Sequence, residues 1–153
     1  MLVTNTLARF WESAADEQER IIAAMTAAIP DLRPDSTVVI DGVCLERGGA
    51  YIFTGKRDVT GVLQVHYRAS GLRGSAITNR PRAEPRGLRL FTFREPDIFP
   101  YGPNLIVFDA RRGESHRLVD RARALRYFSA SGFSPGEDCP AGFAWRGASP
   151  PID

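Results

Sequence analysis

Two cysteines, and no others, stand in similar settings toward the two ends of this chain: Asp41-Gly42-Val43-Cys44 and Asp138-Cys139-Pro140. Each lies beside turn-forming residues. Joined, they would tie the C-terminal tail to the first predicted strand and close a loop over most of the sequence. Such a bond needs Cα atoms roughly 4.4–6.8 Å apart and an oxidising compartment in which to persist. In a reducing compartment the same residues read as two buried thiols. A free Cys44 in a loop after a strand also reads as a nucleophile, with His66 or His116 as its base.

A length of 153 residues predicts one domain. Residues 1–30 read as an amphipathic helix, 36–130 as an α/β core and 131–153 as an irregular tail. The hydrophobic fraction of 43% is that of a globular chain, which sets disorder aside for the main body. No apolar run approaches the ~20 residues of a bilayer span, and the start lacks a basic region followed by an apolar stretch. The chain is therefore expected to be cytoplasmic if complete, and extracytoplasmic if it is a piece of a membrane protein. The net charge of +2 conceals an asymmetry: residues 1–67 carry six basic and nine acidic side chains, and the rest fourteen and nine. Arg68, Arg73, Arg80, Arg82, Arg86, Arg89 and Arg94 are answered only by Glu84. That run is suited to an anionic partner, but its prolines and glycines read as a solvated connection. No nucleic acid is expected.

Between Asn5 and Ile29, Leu7, Trp11, Ala14, Gln18, Ile21, Met25 and Ala28 recur at spacings of four and three, which places them on one helical stripe. Asn5 is the expected cap, and Pro30 ends the helix. The stripe, with Leu7, Trp11, Ile21 and Met25 as its large members, packs on the domain or receives a partner or membrane-proximal helix. Strands are predicted at Ser36–Ile40, Ala50–Phe53, Ser75–Thr78, Leu88–Arg94 and Asn104–Ala110. Residues Val59–Tyr67 satisfy helical spacing with Asp58 as cap, and the helix is preferred to a strand. A second helix is predicted over Leu118–Ser129, with Leu118, Ala122, Leu125 and Phe128 inward and Gly132 as its stop. Cys139, Phe143 and Trp145 are expected to pin the tail. The fold class is α/β or α+β: one mixed sheet of four to six strands with the long N-terminal helix and the second C-terminal helix packed on it.

No catalytic constellation emerges. His66, His116, Cys44 and Cys139 lack the close ligand spacing of structural zinc sites, so no metal or other cofactor is expected. The elbow of hydrolases is missing, and Thr54-Gly55-Lys56 lacks the spacing of a phosphate loop. Asp41, Asp58, Asp97 and Asp109 fall at or near predicted element ends, where a carboxylate binds sugar hydroxyls, acts as a base or simply caps a turn. Asp41, Asp58 and Tyr101 are the candidate ligand-binding residues: Asp41 follows a buried strand, Asp58 opens the next helix, and Tyr101 offers a flat face and a hydroxyl.

The run Ser36-Thr-Val-Val-Ile-Asp-Gly-Val-Cys44 resembles a motif of bacterial polytopic membrane proteins related to GT-C-type glycosyltransferases that use lipid-linked sugars. So do Asp58 to Tyr67 leading into Leu72-Arg73, Tyr101-Gly-Pro-Asn-Leu-Ile-Val-Phe108, Arg126-Tyr127-Phe128 and Cys139-Pro140. Members of that group carry Pro-Tyr after the first cysteine, where this chain has Leu45-Glu46-Arg47. The resemblance implies a soluble extracytoplasmic C-terminal region following the last membrane helix. It further implies an accessory role, binding or positioning a glycan, lipid-linked sugar or protein acceptor beside the membrane-embedded part. It carries no catalytic residue onto this chain. The alternatives are a small stand-alone enzyme using Cys44 or the loop aspartates, and a cytoplasmic interaction module using the N-terminal helix.

Overall fold

The computed structural model describes residues 2–44, 46–47, 50–53, 55–78, 80–91, 96–132 and 139, with the backbone alone at 2–7 and 47. Two segments set the architecture. β1 (Thr37–Asp41) and β8 (Leu105–Asp109) are each buried at all five positions, as strands covered on both faces must be. They pair in parallel, and β4 (Arg73–Ala76) joins the other side of β1, also in parallel. β9 (Glu114–Arg117) closes the row antiparallel to β8, giving the order β4-β1-β8-β9. Because strand side chains alternate between faces, Val38, Ile40, Ile106 and Phe108 enter one core, while Val39, Leu105 and Val107 enter another.

The first core is roofed by α1 (Leu2–Ala28) and α2 (Lys56–Tyr67). The expected α1 stripe is covered over part of its length. Ile21 and Met25 are fully buried and Ala14 nearly so, whereas Trp11 is 58% exposed. Ile21 and Met25 thus face the sheet rather than a partner, and the Leu7 side chain lies outside the described residues. The helix begins at Leu2, so Asn5 is inside it and is no cap.

The region 56–67 is helical, as its spacing predicts. Its N-cap is Gly55 with no side-chain cap bond, and Asp58 stands in the first turn rather than at the cap. α2 lies tightly on β4. Thr60 Oγ1 accepts from the Gly74 amide at 2.9 Å, and a Cβ on Gly74 would fall 2.4 Å from Val59 Cγ1 and 3.0 Å from the Val59 carbonyl carbon.

The second core is closed by a separate antiparallel sheet, β5 (Arg82–Glu84), β6 (Gly87–Phe91) and β7 (Pro96–Phe99), and by α3 (Arg121–Ser131). A two-stranded ribbon pairs β2 (Glu46–Arg47) with β3 (Ala50–Tyr51). The principal sheet is four-stranded and mixed, within the expected range, but the second sheet was not anticipated. The arginine run read as a solvated connection supplies β5 and much of β6. Prolines flank β5 and open β7, and such residues are tolerated because both are edge strands. α3 starts three residues later than predicted, with Asp120 as cap accepting the Arg123 amide at 2.6 Å. Its inward side is accordingly Ala124, Tyr127 and Phe128, while Ala122 and Leu125 are exposed and buried Leu118 precedes it.

Candidate site at the carboxyl edge of β1 and β8

The chain leaves β1 through α2 to β4 on one side, then returns through the second sheet to β8 on the other. Strand order therefore reverses between β1 and β8, and the two crossovers lie on opposite faces. In open α/β sheets the crevice at such a reversal, beyond the carboxyl ends of the strands, is where ligands sit. Both strands end there on aspartate, and Asp41 and Asp109 are partners in register. Their relative exposures are 3% and 0%.

The two carboxylates are held in different ways. Asp109 anchors the turn that follows it. Its Oδ1 accepts the Arg111 amide at 3.0 Å and the Arg112 amide at 3.3 Å. Its Oδ2 meets Arg111 Nη2 at 3.2 Å and Arg112 Nη1 at 3.3 Å. Asp41 accepts the Gly42 amide at 2.9 Å and the Tyr127 hydroxyl of α3 at 2.8 Å. Burial pushes the Asp41 carboxyl above its ordinary value; Tyr127, the Gly42 amide and the charge of Arg111 oppose that rise, and Asp109 adds to it. Tyr127 is pushed up as well, first by burial and then by the Asp41 charge.

Arg111 crosses this edge. Its Nη2 donates to the Ser131 carbonyl at 3.0 Å, which joins the β8 turn to the end of α3. On the way it covers Gly42, where φ is +79° and a Cβ would stand 2.7 Å from Arg111 Nε. Glycine is required there both for the left-handed backbone and for the arginine above it. His116 of β9 packs its ring 5.0 Å from that of Tyr127.

Cys44 and Cys139 form a disulfide with Cα atoms 5.6 Å apart. Cys44 is three residues beyond Asp41, so the bond pins the chain that follows α3 close to this same edge. The sulfur of Cys44 is thereby engaged, which removes the nucleophile reading. Phe143 and Trp145 lie outside the described residues. No group of three or more metal-ligating side chains occurs among the described residues, and none of the described helices is long and apolar enough to cross a membrane.

The three predicted ligand residues do not converge. Tyr101 precedes β8, where Gly102 donates to the Leu118 carbonyl, at the amino edge of the sheet. Asp41 is at the carboxyl edge, a strand length away. Asp58 is on α2, half-buried. Asp97, the fourth candidate, pairs with Lys56 at 2.8 Å and links β7 to α2. His66 is exposed and His116 is half-buried in β9. Arg111 and Arg112 are the site members that the sequence motifs did not include, and Tyr127 entered only through the run Arg126-Tyr127-Phe128, with no ligand role. Their available signal was an aspartate after each of two apolar runs, Asp41 just beyond the predicted strand Ser36–Ile40 and Asp109 within Asn104–Ala110, the second followed by Ala-Arg-Arg-Gly.

A raised Asp41 pKa has a definite sign. The folded chain holds this proton more tightly than the unfolded one, so stability is highest below the ordinary value of 3.8 and falls as pH rises from there through the folded value. Asp41→Asn keeps an acceptor for Tyr127 and removes the titration. It should flatten that part of the stability–pH curve and match or exceed the parent at neutral pH. Urea unfolding across pH 3–7 (roughly the window of linkage) measures this; a variant curve parallel to the parent's would refute it. Comparison with models of protein families, with characterised proteins and with solved structures finds no match to this chain.

Proposed function

We propose that this domain recognises a glycan, or the sugar of a lipid-linked glycan, at the β1/β8 edge, as a non-catalytic accessory part of an extracytoplasmic membrane glycosyltransferase-like protein. The observation that carries the ligand class is the Asp41–Tyr127 pair beside Arg111 and Arg112. A carboxylate, a phenol and two guanidiniums supply acceptors and donors at short range, as a ring of hydroxyls requires. The Cys44–Cys139 bond supports an oxidising compartment. The assignment to a membrane glycosyltransferase-like protein rests on the sequence resemblance described above.

The test is titration of soluble oligosaccharides and sugar phosphates into the purified chain, followed by calorimetry or amide shifts. Binding should weaken about tenfold in Tyr127→Phe, the loss of one hydrogen bond to a charged partner, and at least as much in Asp41→Asn. Amide shifts that cluster away from residues 41–42, 109–112 and 127, or variants that bind as the parent does, would sink the site. A second reading, a stand-alone enzyme with Asp41 as acid or base, is favoured by the raised Asp41 pKa beside a second carboxylate. Turnover of a glycan by the purified chain, lost in Asp41→Asn, would replace the accessory role by that one.

A further inference from the structure

The outer face of the β5–β6–β7 sheet carries a pair of like charges that the fold does not need. Arg82 of β5 and Arg89 of β6 are directly opposed in register, and like charges so placed are destabilising. Both guanidinium carbons lie 5.4 Å from the centre of the Phe91 ring, so one aromatic side chain holds both cations. Glu84, on the same face, fixes Arg89 through its Nη1 at 2.8 Å. The Nε of Arg89 is shielded and has no hydrogen-bond partner. Arg82 is exposed, and no carboxylate is paired with it among the described residues. Arg86, at the β5–β6 turn, is exposed as well.

We propose that Arg82 and Arg89, set on Phe91, form a binding site for a phosphate group. Stacked guanidiniums present planar donor forks that suit tetrahedral oxyanions, and stacking reduces the side-chain freedom lost on binding. Glu84 cancels one of the two charges, which still leaves the face cationic, with Arg86 adding to it at the turn. A phosphate has enough acceptor oxygens and charge to engage more than one guanidinium, whereas a carboxylate offers two oxygens and one charge. The group comes either from a free phosphate or from a phospholipid headgroup. Neither arginine belongs to the β1/β8 edge, so this inference is independent of the glycan reading.

The experiment has two arms on the full chain: calorimetric titration of inorganic phosphate, and co-sedimentation with phosphatidylglycerol vesicles against phosphatidylcholine vesicles. The parent should bind in at least one arm. Arg82→Gln and Arg89→Gln should each weaken that binding about tenfold, the loss of charge-assisted hydrogen bonds. Arg82 is exposed and lacks an acidic partner, so Arg82→Gln retains the fold; an unchanged melting curve checks this. Binding of phosphate identifies a free anion as the source, and binding of the anionic vesicles alone identifies the headgroup. No binding in either arm overturns the site. So does binding that both variants retain, or that is lost in Arg112→Gln while Arg82→Gln keeps it.

Discussion

Reduction of the Cys44–Cys139 bond is expected to lower the unfolding free energy by about 4 kcal/mol. The two residues are 95 positions apart, and in the chain-entropy account closing a loop of that length removes conformational freedom from the unfolded chain to roughly this extent. For a chain of this size the melting temperature should fall by roughly 8–16 °C. Calorimetry with and without reductant measures it, and the Cys44→Ala/Cys139→Ala double variant should reproduce the reduced protein. The loss also reaches the candidate site, because Cys44 follows Asp41 closely and Cys139 follows α3, whose Tyr127 bonds Asp41. If the proposed glycan site is correct, reduced protein should therefore lose that binding before it unfolds. A melting point unmoved by reductant would refute the structural weight given to this bond.

Asp109→Ala is the second change with a large expected effect, about 3 kcal/mol. Asp109 is fully buried and accepts two amides and two guanidiniums. Breaking a buried ion pair from one side costs roughly 3–5 kcal/mol because the remaining charge is stranded. The lower end applies here, since Arg111 and Arg112 are a third and a half exposed and water recovers part of their solvation. Asp109→Asn should cost less, as it keeps an acceptor for the Arg111 and Arg112 amides. Denaturant unfolding of both variants gives the comparison. Equal losses would mean that the guanidiniums, not the amides, carry the effect, and a loss below ~1 kcal/mol in Asp109→Ala would contradict the burial argument.

The disulfide, the carboxylate pair and α3 act on the same strand edge from three directions. Arg111 reaches from the β8 turn to the end of α3, Tyr127 reaches from α3 to β1, and the disulfide returns the chain beyond α3 to the loop after β1. Each link fixes a different pair of segments. This arrangement keeps two buried carboxylates side by side at a place where an apolar pair would have packed at lower cost. That the fold accepts such a cost at the edge between two crossovers is the physical argument for the ligand recognition proposed there.

The amino-acid sequence determined the parts of this protein that depend on neighbours in the chain. Val38, Val39 and Ile40 announced a buried strand and Leu105 to Phe108 a second strand, and an aspartate follows each of these apolar runs. Spacing identified α2, and the two cysteines carried their turn contexts with them. What depends on neighbours in space was decided by the tertiary structure. The order β4-β1-β8-β9 brought Asp41 beside Asp109 and left Tyr101 at the other edge, and no local pattern encodes which strands become adjacent. The arginine-rich, proline-flanked β5 and β7 formed strands because β6 offered them edges to pair with, against their weak intrinsic preference. Trp11 belongs to the same stripe as Ile21 and Met25, yet only the latter two are covered. A helix of 27 residues runs about 40 Å, the strands beneath it about 17 Å, and the apolar period continues past the point where the sheet ends.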